Sequence, residues 1–194
     1  MGDRQLEPII EESPLARRAF AGTEGWPIVW LVARLWLGFG WLHAGWGKVT
    51  GEGWMDGGAA LRGFATGAVE RSQGENPAVA YDWYVVMLEF IRDSAHTWLA
   101  PIIAIGQVVI GIALILGAFV GVAALLGLIL NFSFVLAGSA GTNPGFMIVG
   151  LLLLLAWRNA GYLGLDRWLL PTIGTPWSRA EPEPTTRDRA KVSA

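Results

Sequence analysis

Few side chains in this 194-residue sequence can carry chemistry, and most of those that can are set in or beside apolar runs. Cysteine is absent, which removes thiolate nucleophiles, disulfides and cysteine-held iron–sulfur clusters. The only histidines are His43 and His96. A histidine-built metal cage has too few ligands, and two histidines without a recognisable pattern are weak support for a haem. An ionisable group inside hydrocarbon is costly, so each one needs a partner or a task. Sorted by depth along the helices they fall into two groups. Toward one end lie His43, Lys48, Asn131 and Asn143, with Glu89 and His96 just above and Gln107 nearer the middle. His43 suits a hydrogen bond to a quinone carbonyl, a proton relay or a buried structural role. Its company of Glu89, Gln107 and Asn131 favours function, although Gln107 and Asn131 alone would read as interhelical glue. His43, Lys48 and Glu89 are therefore the candidate catalytic groups, and Gln107 and Asn131 candidate ligand-binding groups.

Toward the other end lie Arg34, Arg158, Asn159 and Asp166. Arg34 is about two turns into its apolar run, where its long side chain can snorkel to the interface. Arg34, Arg158 and Asp166 are expected to form a structural ion-pair cluster that pins helices together, with direct ligand contact as the lesser reading.

The elements that must position these groups are four apolar stretches, at about 28–47, 98–117, 119–137 and 144–163. Each is expected to be long enough to cross a bilayer, since a helix needs roughly 20 predominantly apolar residues for ~30 Å of hydrocarbon. With 53% hydrophobic and 15% charged residues, and a mean hydropathy of +0.45, the composition is that of a membrane protein. A net charge of −2 gives no footprint for nucleic acid. A lipid-embedded backbone must satisfy its own hydrogen bonds. The expected fold is thus all-α, an integral membrane four-helix bundle with a long outward-facing first loop (48–97) containing short helices at 59–70 and 81–92. Residues 26–173 form the membrane domain. Residues 1–25 are a cytoplasmic tail with a short interfacial helix near 13–20, and 174–194 a disordered cytoplasmic tail. Lys and Arg concentrated in the flanking tails put both termini inside the cell membrane. The polar start shows no cleavable signal. Gly117-Ala118 makes a tight hairpin, Pro144 opens the last helix, and Gly40, Ala44 and Gly47 form a small-residue stripe suited to close packing.

Several segments together resemble the DoxX/DoxD family, especially its DoxD-like branch, the large membrane subunit of thiosulfate:quinone oxidoreductase. They are RLWLGFGWLHAGWGKV at 34–49, GWMDGGAALRGF at 53–64, NFSFVLAGSAGTNP at 131–144 and LAWRNAGYLGLDRWLLPTIGTPW at 155–177. The resemblance covers about 28–177. It implies a membrane subunit that passes electrons from a reduced sulfur compound to diffusible quinone beside a second, DoxA-like protein. Members of the DoxX branch are associated instead with larger redox assemblies. Family members often carry glutamate where this chain has Gln107.

Two readings follow. In the first, Lys48, Arg62 and His43 attract thiosulfate by charge. Trp41 and Trp46 flank the quinone ring, and His43 with Gln107 or Asn131 holds its oxygens. Quinone is then a diffusible acceptor, with no covalently bound cofactor and no metal. In the second, the chain is a non-catalytic subunit that docks or stabilises a larger respiratory complex through its Trp-rich loop. A solute carrier ranks last, because no inverted repeat or interrupted helix pair is visible.

Overall fold

The computed structural model describes residues 13–21, 26–73 and 75–173. The C-terminal tail expected to be disordered and most of the N-terminal tail lie outside them. The described residues are helical, with no strand among them. In chain order the helices are α1 (Pro14–Ala21), α2 (Trp26–Thr50), α3 (Ala59–Glu70), α4 (Asp82–Phe90), α5 (His96–Leu116), α6 (Val120–Leu136), α7 (Asn143–Leu155), α8 (Trp157–Ala160) and α9 (Asp166–Ile173).

Local chemistry explains most of the boundaries. Pro27 is in the first turn of α2, where its missing N–H costs nothing. Beyond α2 the chain turns at Gly53, whose N–H donates to the Asp56 carboxylate at 2.6 Å. Gly117 closes α5 in the left-handed conformation (φ 68°), and Ala118 N–H returns to the Ala113 carbonyl at 2.9 Å. Asn143-Pro144 opens α7.

Two boundaries differ from expectation. The patch at 81–92 and the second apolar stretch are one continuous helix of 35 residues, Asp82–Leu116, joined by a π-helical turn at Ile91–Ala95. The last apolar stretch stops at Leu155 instead of running to 163. Ala156 leaves helical geometry (ψ 16°), one further turn follows as α8, and the chain then doubles back to α9. Two helices, α2 and Asp82–Leu116, are long and apolar enough to cross a membrane; α6 and α7 are apolar but shorter.

α2 packs on α5, α5 on α6, α6 on α7 and α7 on α2. The α2–α5 contact is the closest, because glycine removes side chains from it. A methyl group on Gly45 would lie 2.6 Å from the Val108 nitrogen, one on Gly111 2.5 Å from the Leu42 nitrogen, and one on Gly38 2.9 Å from the Ile115 side chain. The glycines that bring α2 onto α5 are therefore Gly38 and Gly45, about two turns apart on one face, while Gly40 of the expected stripe is packed tightly against α7 instead. Gly40 lies beneath the Phe146 ring and Gly47 faces open space.

Leu37, Trp41, Ile110, Leu114, Ala124 and Leu153 fill the centre between these helices. A second core joins α3 and α4 to the end of α6 through Ala65, Ala68, Tyr84, Leu88 and Ala137. There Tyr84 donates its hydroxyl to the Ser133 carbonyl, and Arg71 Nη2 donates to the Ala137 carbonyl at 3.1 Å. At the opposite end the Ala19 carbonyl oxygen ties α1 to two other helices. It accepts from Trp30 Nε1 at 2.7 Å and from Asn159 Nδ2 at 3.1 Å.

Candidate functional site

A chamber of about 420 Å³ lies where α2 and α6 end and α7 begins, overlain by α3 and the turn before it. Its walls are aromatic: Trp41, Trp54, Phe64, Phe134 and Phe146. Trp41 reaches α6 because Gly127 leaves room for the indole, whose Nε1 would lie 3.1 Å from a methyl group there. Its ring centroid is 5.8 Å from that of Phe146.

The polar groups of the chamber come from separate helices. Gln107 of α5 and Asn131 of α6 are each 1% exposed, and both face the chamber. Gln107 Oε1 and Asn131 Oδ1 are buried without a hydrogen-bond partner. A buried acceptor left unpaired costs about 1–3 kcal/mol, and both residues line the same chamber. Asn143, Thr142 and Ser139 add polar atoms where α7 begins. His43 is exposed at the rim. Lys48 Nζ lies 5.1 Å from the centroid of Trp54 and donates to the Ala44 carbonyl at 3.3 Å. Among the described residues no Asp or Glu lines the chamber, so Lys48 gives it a positive rim.

Of the site residues expected from the sequence, the structure brings His43, Lys48, Trp41, Gln107 and Asn131 to this one chamber. Two others are elsewhere. Trp46 is 60% exposed on the outer face of α2. Five residues from Trp41 is a rotation of about 140° from it, so the two indoles cannot flank one ring. Glu89 is on α4, outside the chamber lining. The continuous helix puts it about 27 Å along the axis from Gln107. His96 also lies outside the lining. Phe64, Phe134 and Phe146 are wall residues that sequence reasoning missed. The one available hint was the aromatic in the helical patch at 59–70.

The Arg34 group forms a second polar knot at the other end, without the expected ion pair. Arg34 is 1% exposed, and its Nη2 donates to the Leu163 carbonyl at 3.1 Å. Its guanidinium passes between Gly117 and Gly164, where a methyl group on Gly164 would lie 2.6 Å from Nη1 and one on Gly117 would overlap it. The Asp166 carboxylate is used differently. It accepts the Phe119 N–H at 2.6 Å and the Val120 N–H at 2.9 Å, capping the start of α6. Burial pushes the Asp166 carboxyl above its ordinary range, opposed by those two N–H groups and by the attraction of Arg34. Arg158 is exposed and stacks on Trp157, 5.3 Å from the ring centroid, so it takes no part. The physical reason is the early end of α7, after which the returning chain offers Arg34 the Leu163 carbonyl and turns the Asp166 carboxylate to the backbone N–H groups of Phe119 and Val120.

Comparisons with known protein families, with curated proteins and with solved structures give no match. The DoxX/DoxD resemblance rests on the quoted segments alone.

Proposed function

We propose that this chain is a multi-pass membrane protein, a four-helix bundle of α2, α5, α6 and α7, whose chamber binds the ring of a quinone as part of a quinone-linked oxidoreductase. The distribution of polarity supports the membrane reading. Arg34, Gln107, Asn131 and Asn159 are buried, while Val32, Phe39, Ile102, Val109, Ile129 and Leu151 are each at least half exposed. Soluble monomers rarely expose contiguous apolar patches beyond a few hundred Å², whereas lipid is the natural partner of such a surface. α6 rises about 26 Å and α7 about 20 Å, and α8 extends the α7 side. The mismatch with ~30 Å of hydrocarbon is of a size that bilayers accommodate by local thinning. The basic residues of the tails favour cytoplasmic termini in a cell membrane, which puts the chamber at the outer end.

The observation that carries the quinone reading is the pair of buried amides facing an aromatic chamber. Each amide has N–H donors for a quinone oxygen and an acceptor oxygen for a quinol O–H, so one site serves both redox forms. The aromatic walls suit a flat ring. Quinone needs two electrons and two protons to become quinol. The resemblance implies thiosulfate as the donor: two thiosulfate dianions form the central S–S bond of tetrathionate and release two electrons. Lys48 at the rim would draw the dianion in, and His43 is placed to relay protons from the outer water. A DoxA-like second subunit completes the enzyme in this reading.

The test is thiosulfate-dependent quinone reduction by the protein in lipid, with and without co-purifying partners. Turnover lost on His43→Ala, with the helical fold intact, supports the reading. A stable complex whose turnover survives both His43→Ala and Lys48→Ala would instead assign the chain to a non-catalytic, scaffolding role.

A further inference from the structure

Behind the aromatic wall lies a second chamber of about 210 Å³, enclosed by α3, α4, the π-helical turn, α5 and α6. It is apolar in a stricter sense than its lining suggests. The two hydroxyl side chains on its wall are already engaged: Tyr84 donates to the Ser133 carbonyl, and Ser133 Oγ donates to the Ile129 carbonyl at 2.9 Å. Every other lining residue is apolar, with Leu61, Met87, Leu99, Ile103 and Leu130 among them. Such a space does not attract water, which needs two to four polar partners.

Phe64 and Phe134 line both chambers. They meet edge to face, with centroids 6.0 Å apart and planes at 88°, and form the only shared wall between the polar chamber and the apolar one. Met87, Leu99 and Ile103 are half-buried, and their neighbours Val86, Trp98 and Ile102 are exposed on the outer surface. The order from inside outward is thus polar amides, an aromatic pair, an apolar pocket and the lipid-facing exterior.

We propose that the apolar chamber receives the first part of the isoprenoid chain of the same quinone, which parts the Phe64–Phe134 ring contact to enter and leaves toward lipid beside Met87 and Ile103. This inference rests on the quinone reading and adds the path of the tail. A polar ring with an apolar chain matches the abrupt change of polarity at the Phe64–Phe134 pair. The chain gains little affinity by moving from lipid into protein, since both are apolar. Its slot therefore fixes the orientation and route of the ring, and the signature of the slot is steric exclusion when it is filled.

The experiment compares a tailless benzoquinone with the same ring bearing an isoprenoid chain, binding each to the full-length protein in lipid nanodiscs. The proteins are wild type, Met87→Trp and Ile103→Trp, with circular dichroism to confirm the helical fold. Steric exclusion from a filled slot is read as a loss of about tenfold in affinity, or about 1.4 kcal/mol. The expected result is that both variants bind the tailless ring like wild type and the prenylated ring about tenfold more weakly. Prenylated binding unchanged in both folded variants overturns the tail path. So does an equal loss of both ligands, or a co-purifying phospholipid displaced by the tryptophans in place of the quinone tail. Wild type that binds neither ring overturns the quinone reading itself, a result distinct from the others.

Discussion

Replacing the chamber amides by apolar side chains of similar size separates a binding role from a structural one by sign. Gln107 Oε1 and Asn131 Oδ1 are buried without partners, and relieving an unpaired acceptor is worth about 1–3 kcal/mol. Volume-conserving replacement sets against that a packing cost below about 1.5 kcal/mol. Gln107→Met and Asn131→Leu are therefore each expected to stabilise the ligand-free protein by about 1 kcal/mol, or about 2–4 °C in Tm for a chain of this length. If the amides were interhelical glue, the same changes would remove bonds averaging about 0.6 kcal/mol and reaching about 1.7 kcal/mol, and the protein would melt earlier. The assay is thermal melting in one fixed lipid or detergent, followed by far-ultraviolet circular dichroism, with and without quinone. Wild type should gain stability with quinone in proportion to the logarithm of its concentration. Each variant should lose a hydrogen bond worth about 0.5–1.5 kcal/mol to the ligand, a fall in affinity of roughly two- to tenfold. Variants that melt earlier than wild type yet keep the full quinone shift would refute the reasoning.

Three further perturbations probe the frame around the chamber. Asp166→Ala leaves the Phe119 and Val120 N–H groups at the start of α6 without their carboxylate acceptor, a loss of about 2–3 kcal/mol. Asp166→Asn keeps an acceptor for the cap and should cost only about 1–2 kcal/mol; equal melting of the two would contradict the capping role. Gly45→Ala should destabilise by about 1–3 kcal/mol because its methyl meets the α5 backbone. Gly47→Ala, in open space within the same helix, should be neutral or stabilising by up to about 1 kcal/mol. Lys48→Met should raise the KM for thiosulfate about two- to fivefold and weaken its salt dependence, as expected of one partly exposed charge, while Trp46→Ala leaves quinone binding unchanged.

Much of the frame could be read from local signals. Gly58 and the turn at Arg71 bracket α3, Gly117 ends α5 and Pro144 begins α7, each through backbone chemistry confined to a few residues. The continuity of α4 and α5 was hidden at 93–97, the polar gap between the helical patch that ends at Arg92 and the apolar stretch that begins at Trp98. In the fold Arg92 and Asp93 pair with each other at 2.8 Å, in and around a π-helical turn. The early end of α7 was also hidden, since LLLLLAW carries no stop signal. The neighbouring α8 instead holds Asn159 against the Ala19 carbonyl, 140 residues away in sequence. For the chamber, depth along each helix was enough to group His43, Lys48, Gln107 and Asn131. Facing was not settled by depth: Trp46 has the right height and the wrong side of α2. Phe64, Phe134 and Phe146 come from three segments whose meeting depends on tertiary packing.

The central claim is that the chamber binds a quinone ring through Gln107 and Asn131. Equilibrium binding of a tailless benzoquinone to the purified protein in lipid nanodiscs tests it most directly, comparing wild type with the Gln107→Met, Asn131→Leu double variant. Saturable binding by wild type, weaker by about four- to a hundredfold in a double variant that melts no earlier, is the expected result. No saturable binding by wild type, or equal binding by both proteins, would contradict the account.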